Sequence, residues 1–295
     1  GGGIAEVAAL AGHPVRLADA RAGAAAAAVE QIAGRLSAAV GKGRLDRSVA
    51  AAAQARLRPV AGLADLAPAG LVIEAIVEEL GAKRSLLAEL ERIVAPRTLL
   101  ASNTSSLSIT AMGAALREPA RFAGMHFFNP APVMALVEIV SGLATAPQTA
   151  EALAATATAW GKHPVRCRNS PGFIVNRVAR PFYLEALRMA QERLADPASI
   201  DAVVREAGGF RMGPFELMDL IGNDVSLAVT RSLFEASGYD PRYRPSPLQR
   251  ELVDAGWLGR KTGRGWFDHQ PGAARAQPST AAPTPPPKVV RASGG

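Results

Sequence analysis

Leu71-Val72-Ile73-Glu74-Ala75 and Leu99-Leu100-Ala101-Ser102 are two short apolar runs, and between them a helical pattern occupies Lys83–Val94. Strand, helix, strand in that order is the unit from which parallel sheets are built. The alternation continues outward. Upstream, Ile4–Ala11 predicts a helix with Gly12 as its stop. Val15-Arg16-Leu17-Ala18 predicts a short strand ending at Asp19, and Ala22–Val40 predicts an alanine-rich helix. Alanine loses no side-chain entropy in a helix, which favours that run. Downstream, Phe122–Phe127, Leu136–Val140 and Val165–Cys167 complete the strands. The expected fold class is α/β, a Rossmann-type, mostly parallel sheet with helices on both faces, followed by an all-helical domain.

The helical part begins after Cys167. Phe173–Arg193, Ile200–Glu206, Pro214–Leu220, Asp224–Ala236 and Pro247–Ala255 all predict helices, several of them separated by Pro-Gly or Gly-Gly pairs. The expected organisation is a sheet domain over 1–168, a helical domain over 169–270, and a Pro/Ala-rich linker or tail over 271–295. The last segment holds six of the 22 prolines and no aromatic residue.

Composition narrows the function classes. The chain has 295 residues, 48% hydrophobic and 20% charged, which fits a folded globular protein rather than global disorder. No apolar run reaches the ~18–20 residues of a membrane span. The lone cysteine, Cys167, excludes an intrachain disulfide and a cysteine metal cage, and makes a reducing, cytoplasmic setting the default. The net charge is +7, of which Arg275, Lys288 and Arg291 in the tail supply three. The remainder is too small, and too free of basic runs interleaved with aromatics, to argue for nucleic acid. It suits an anionic small ligand. No His/Asp/Glu spacing resembles a metal site.

The chain opens Gly1-Gly2-Gly3-Ile4, without Met and without a charged leader. A helix opening on glycines, followed about twenty residues later by an acid at a strand end, is half of a dinucleotide fingerprint. Glycines let a phosphate approach the helix N-terminus. Asp19 would accept hydrogen bonds from ribose hydroxyls and disfavour a 2′-phosphate. An ordinary turn aspartate is an equally good account of Asp19 on this pattern alone. The strand and the two glycines that normally come first are missing, so the chain reads as cut at both ends.

The middle of the chain is more specific. Ala101-Ser102-Asn103-Thr104-Ser105-Ser106-Leu107, Gly124-Met125-His126-Phe127-Phe128-Asn129-Pro130, Leu136-Val137-Glu138 and Gly161-Lys162-His163-Pro164 follow one another. Pro171-Gly172-Phe173-Ile174-Val175-Asn176-Arg177, Met212-Gly213-Pro214-Phe215-Glu216-Leu217 and Gly259-Arg260-Lys261-Thr262-Gly263-Arg264-Gly265 complete the series. Together they resemble the NAD-dependent 3-hydroxyacyl-CoA dehydrogenases, from Gly1 to about Asp268. Detail around Arg177-Val178-Ala179-Arg180-Pro181 and Gly209-Phe210-Arg211-Met212 is nearest to members acting on 3-hydroxyadipyl-CoA in bacterial phenylacetate catabolism.

The resemblance implies oxidation of a (3S)-3-hydroxyacyl-CoA to the 3-oxoacyl-CoA with NAD. Histidine suits the base because its unperturbed pKa of ~6.5 lies near working pH. His126 takes that role, although a histidine beside Phe127 and Phe128 is also at home in a core. Glu138 would fix its tautomer and stabilise the imidazolium; the plain alternative is a solvated edge-strand carboxylate. Ser105 and Asn176 would hold the C3 oxygen, against a helix N-cap for Ser105 and a solvent-facing place for Asn176. The resemblance puts Gly1, Asp19, Glu78, Lys83, Asn103 and Lys261 at the NAD. An exposed helix pair is the alternative for Glu78 and Lys83, and a local Asx-turn for Asn103. Asn129, Lys42 and Arg211 would meet the acyl-CoA, Lys42 as a point charge near the CoA phosphates and Arg211 as a clamp for a distal carboxylate. Lys42 and Arg211 are also ordinary as solvated surface residues. His13, His163 and His269 carry no expected role, and Cys167 packs.

A homodimer through the helical domain is implied by the family. Two other functions compete. One is a 3-hydroxybutyryl-CoA dehydrogenase of fatty-acid or polyester metabolism. The other is a non-catalytic relative, favoured by the missing first strand, whose loss would expose two strand edges.

Overall fold

The computed structural model describes residues 1–279 and divides the chain into two compact units, Gly1–Arg177 and a second beginning at Val178. In the first unit, helix α1 (Gly2–Leu10) leads into strand β1 (Val15–Leu17), then helices α2 (Ala24–Gly41) and α3 (Arg47–Ala55) and strand β2 (Leu57–Pro59). Strand β3 (Leu71–Glu74), helix α4 (Leu80–Ile93), strand β4 (Leu99–Ser102) and the short helix α5 (Ile109–Gly113) come next. Strands β5 (Phe122–Phe127) and β6 (Leu136–Ser141), helix α6 (Pro147–Ala159) and strand β7 (His163–Arg168) complete the sheet region.

The sheet comes in two pieces. β1 and β2 form a parallel pair, and a five-stranded sheet runs in the order β3-β4-β5-β6-β7. Every pair in the larger sheet is parallel except β5 with β6. Among the described residues β1 pairs with β2 alone and β3 with β4 alone, so each leaves one edge unpaired.

Alternation along β5 decides which side chains share a face. Ala123, Met125 and Phe127 join Val137 and Ile139 of β6 on one face, packed with Leu153 and Ala157 of α6 and Ile4 of α1. Phe122 and Val140 lie on the other face, with Leu87 and Leu90 of α4 and Ile109 and Met112 of α5. With a side-chain period of two, His126 and Glu138 must point to this second face. A third cluster joins Ala5 and Ala9 of α1, Ile32 and Leu36 of α2, Ala50 and Ala53 of α3, and Leu57.

The second unit takes up most of helix α7 (Val175–Gln191), then α8 (Pro197–Glu206), α9 (Pro214–Ile221), α10 (Asn223–Ala236) and α11 (Pro247–Asp254). Its core gathers Tyr183, Leu187, Ile200, Phe215 and Met218. Buried Asp219 organises the glycine-rich end. Its carboxylate accepts hydrogen bonds from the backbone N–H groups of Trp266 and Phe267 at 2.9 and 3.0 Å, and from Asn223 Nδ2 at 2.9 Å. A Cβ on Gly265 would collide with that carboxylate, which explains glycine there. His269 Nε2 lies 2.8 Å from the same carboxylate, giving this histidine a tethering place in the unit.

Helices α3, α5 and α6 and strand β2 were not expected from sequence. Helix α6 opens on Pro147 and carries threonines, and Thr156 and Thr158 return their hydroxyls to carbonyls four residues back. Of the tail expected over 271–295, residues 280–295 lie outside the described residues, and 271–279 form a turn and then no regular structure. Among the described residues no helix is long and apolar enough to cross a membrane, and no cluster of His, Cys, Asp or Glu could hold a metal.

Candidate active site

The antiparallel register of β5 and β6 places His126 directly opposite Glu138. A separation of twelve residues in sequence thus becomes a cross-strand pair on one face. His126 Nδ1 and Glu138 Oε2 are 2.7 Å apart, with the ring 5% exposed and the carboxylate fully buried. The other oxygen, Glu138 Oε1, accepts the backbone N–H groups of Ile174 and Val175, both at 2.9 Å. These N–H groups open α7, where a helix has donors without internal acceptors and favours negative charge. Burial opposes ionisation of Glu138. The hydrogen bonds from His126, Val175 and Ile174 outweigh it and hold the carboxyl below the usual glutamate range.

An acceptor-only carboxylate at Nδ1 requires Nδ1 to carry the proton, which leaves the Nε2 lone pair as the ring's acceptor. The ring of Phe128 lies 4.5 Å from the imidazole, and Phe173 meets it edge-on at 5.9 Å. The solvated edge-strand alternative for Glu138 is therefore wrong: β6 is an interior strand between β5 and β7.

The loop after β4 is held by Glu78. Glu78 Oε1 accepts from Thr104 Oγ1 at 2.6 Å, from the backbone N–H groups of Ser105 and Ser106 at 2.9 and 3.1 Å, and from Ser106 Oγ at 3.0 Å. Burial disfavours its charge, and these donors together with Lys83 more than offset that, keeping its pKa low. Asn176 Nδ2 donates to the Ser105 carbonyl at 3.4 Å, so the Ser105 loop, the start of α7 and the His126–Glu138 pair form one hydrogen-bonded chain of groups. The N-cap alternative for Ser105 fails, because α5 begins at Ile109 and its cap is Ser108, which accepts from the Ala111 N–H. Asn176 is half-buried rather than solvent-facing. Asn103 makes no local Asx-turn: its Oδ1 accepts the Phe127 N–H at 2.8 Å and ties the end of β4 to the end of β5.

The exposed helix pair suggested for Glu78 and Lys83 is corrected for Lys83, which is buried; Glu78 is exposed but lies ahead of α4, not on it. Lys83 is 1% exposed, and its ammonium donates to Glu74 Oε1 at 2.6 Å and to the Ile76 carbonyl at 3.3 Å, with Glu78 Oε2 also at 3.3 Å. Glu74 in turn accepts from Ser102 Oγ. A lysine nine residues beyond a buried glutamate had no periodic signal in sequence.

At the nucleotide end, Gly1 caps α1, and the N–H groups of Gly2 and Gly3 fall in the first turn, which lacks internal acceptors. A Cβ on Gly3 would press on Pro132 Cδ at 3.2 Å and Ala131 Cβ at 3.3 Å, so glycine permits that close packing. Asp19 follows β1, exposed, and its Oδ1 accepts the Arg21 N–H at 2.9 Å. That backbone bond, then the Arg21 side chain, lowers its pKa. An ionised carboxylate at a strand's carboxyl end and a helix N-terminus bare of side chains fit a dinucleotide's ribose and phosphates.

Other expected site residues make no hydrogen bond to this cluster among the described residues. Lys42, Asn129 and Arg211 are exposed. Lys261, in the second unit, donates to both oxygens of Asp224 at 2.6 and 2.7 Å.

Residues 1–170 match the 3-hydroxyacyl-CoA dehydrogenase NAD-binding domain, and residues 172–269 match the 3-hydroxyacyl-CoA dehydrogenase C-terminal domain. The chain belongs to the 3-hydroxyacyl-CoA dehydrogenase family. It is 52% identical over 268 residues to the 3-hydroxyadipyl-CoA dehydrogenase of Escherichia coli (strain K12), covering 91% of this chain and 56% of that relative. It is 41% identical to a 3-hydroxybutyryl-CoA dehydrogenase of Bradyrhizobium diazoefficiens, over 92% of each chain. A crystal structure of 3-hydroxybutyryl-CoA dehydrogenase from Escherichia coli K12 superposes with a TM-score of 0.91 at 50% identity, covering 93% of this chain and 58% of that one. The chain thus spans a little over half the length of the first and third of these relatives.

Sequence reading missed two features around the His126–Glu138 pair and its loop. One is the pair of α7 N–H groups on Glu138, signalled only by Pro171-Gly172 ahead of a helix. The other is Lys162 of the Gly161–Pro164 motif, which had no expected role and which the fold buries beside the β5–β6 loop.

Proposed function

We propose that this chain oxidises a (3S)-3-hydroxyacyl-CoA to the 3-oxoacyl-CoA with NAD. The observation that carries the reading is the buried 2.7 Å contact of His126 Nδ1 with Glu138 Oε2. Bound NAD supplies the hydride acceptor for the hydrogen at C3. His126 Nε2 takes the hydroxyl proton, and Glu138, already ionised, stabilises the imidazolium as it forms. Its second oxygen is occupied by two N–H groups, so the carboxylate cannot rotate away without losing both bonds. Ser105 and Asn176 hold the C3 oxygen and polarise it in the reverse direction. In this reading Gly1, Asp19, Glu78, Lys83, Asn103 and Lys261 serve the NAD. Glu78 and Lys83 serve it through the 104–106 loop and the buried Glu74 pair.

The substrate we propose is 3-hydroxyadipyl-CoA, in phenylacetate degradation, in the cytoplasm. The 52% identity to a protein of that name supports it. Arg211, exposed in its turn, takes the distal carboxylate; Lys42 meets the CoA phosphates and Asn129 the acyl-CoA. The active form is a homodimer through the helical unit. A 3-hydroxybutyryl-CoA specificity is the second reading, favoured by relatives of that name. A non-catalytic role is the third, favoured by the split sheet.

The test offers the full chain (3S)- and (3R)-3-hydroxybutyryl-CoA with NAD and follows NADH formation. The reading expects the (3S) isomer alone to react. Equal rates for both, or none for either, contradict it. Arg211→Met is expected to slow 3-hydroxyadipyl-CoA more than 3-hydroxybutyryl-CoA. An equal effect on both removes Arg211 from the carboxylate.

A further inference from the structure

Lys162 stands between α6 and β7 with only 7% of its surface exposed. Among the described residues its side-chain partners are main-chain oxygens, not carboxylates. Its ammonium donates instead to two main-chain carbonyls, Ala131 at 2.6 Å and Met134 at 2.9 Å. A cation without an acid partner is costly to bury, and an apolar side chain of similar length would avoid that cost. The two carbonyls are what the charge offsets, and both belong to the loop joining β5 to β6.

That loop is fastened on every side. Val133 and Met134 both donate their N–H groups to the Pro130 carbonyl at 3.0 Å, closing a tight turn. The His163 N–H donates to the Ala135 carbonyl at 2.8 Å. Lys162 is itself fixed, its N–H donating to the Ala157 carbonyl at the end of α6 at 3.0 Å. At one end of the loop Phe128 lies over the His126 ring; in the middle, Ala131 and Pro132 abut Gly3 of α1. The ammonium therefore fixes a segment that touches both the histidine and the glycine end of α1.

We propose that Lys162 is a positioning residue, a cationic clamp that holds the 128–135 loop so that Phe128 keeps its place beside His126, and Ala131 and Pro132 theirs against α1. It acts through the loop and touches no reacting atom. Burial pulls its ammonium below the usual lysine range, a cost to the charge that the two carbonyls offset. The turnover arm of the test rests on the dehydrogenase reading above; a second arm does not.

Lys162→Met removes both hydrogen bonds while keeping an unbranched side chain of nearly the same length. With acetoacetyl-CoA and NADH, well below the variant's melting temperature, kcat is expected to fall about ten- to a hundredfold, the scale of a misplacement near 1 Å. The second arm is the His126 Hε1 resonance, assignable by His126→Ala because the chain has four histidines. Phe128 is close enough for its ring current to report any shift of the loop. The resonance is expected to move in Lys162→Met and return towards its wild-type position in Lys162→Arg, which keeps donors at the loop. A merely structural lysine would lower the melting temperature and leave the folded protein's turnover and this resonance unchanged, which overturns the proposal. Lost turnover with an unmoved resonance overturns it too. Should wild-type protein not consume NADH, the dehydrogenase reading falls and the resonance alone decides the clamp. Should Lys162→Met not fold, Lys162→Gln, with one shorter donor, is read in the same way.

Discussion

Glu138 gives one oxygen to His126 and the other to the first N–H groups of α7. Replacing it with Gln keeps the shape but puts an amide where the imidazolium needs an anion. We expect Glu138→Gln to lower kcat by about a hundredfold or more, the range of general acid–base catalysis, in the acetoacetyl-CoA assay. Acid stability should change as well. The folded pKa of Glu138 lies below its unfolded value, so its stabilisation is complete above ~4.3 and is lost as pH falls through the folded value. Thermal unfolding followed from neutral to acid pH should therefore be flatter in Glu138→Gln than in wild type. On the same face, Cys167 is pushed up to about 11 by burial first and by the Glu138 charge second. Its thiol should resist iodoacetamide at mildly alkaline pH until the protein unfolds, as mass spectrometry would show; rapid labelling of folded protein would contradict that burial. Asn103→Ala removes the acceptor of the buried Phe127 N–H and should cost about 1–3 kcal/mol in denaturant unfolding.

Among the elements, α1 and the 128–135 loop depend on each other through Gly3. A side chain there needs room that Ala131 and Pro132 occupy, so Gly3→Val should weaken NADH binding severalfold by fluorescence titration, with little change in far-ultraviolet dichroism. Unchanged affinity would mean the helix can slide without consequence. The larger elements were legible because their patterns are local. Leu99–Ser102 and Phe122–Phe127 are continuous runs, and both strands have those bounds. Helix α6 was not legible, since its Ala/Thr-rich sequence carries no strong apolar stripe and what selects it is the packing of its Leu153 and Ala157 against β5 and β6. The His126–Glu138 pair was read from family position, because a separation of twelve residues means a contact only once the strands are known to be antiparallel. Lys83 and Lys162 were illegible for a related reason. A lysine's sequence neighbours do not reveal that the fold will bury it against a distant glutamate or a loop's carbonyls.

For the whole chain, the sheet in two pieces predicts unequal stability. Among the described residues β4, β5 and β6 each pair on both sides, whereas β1 and β2 pair only with each other. Native-state hydrogen exchange should protect the amides of β4–β6 at least about tenfold better than those of β1 and β2, because local opening of a two-stranded pair breaks fewer bonds. Equal protection would show that the smaller pair opens only with the rest of its unit. The proposed chemistry needs all three scales: a histidine set by register, a carboxylate set by a helix start, and a loop set by a buried lysine, all within Gly1–Arg177. The decisive test is NADH oxidation by acetoacetyl-CoA, comparing this 295-residue chain with its His126→Ala variant. Steady turnover is expected from the first and a loss of about a hundredfold or more in the second. Equal rates for the two, or no turnover by the unaltered chain, would refute the dehydrogenase reading.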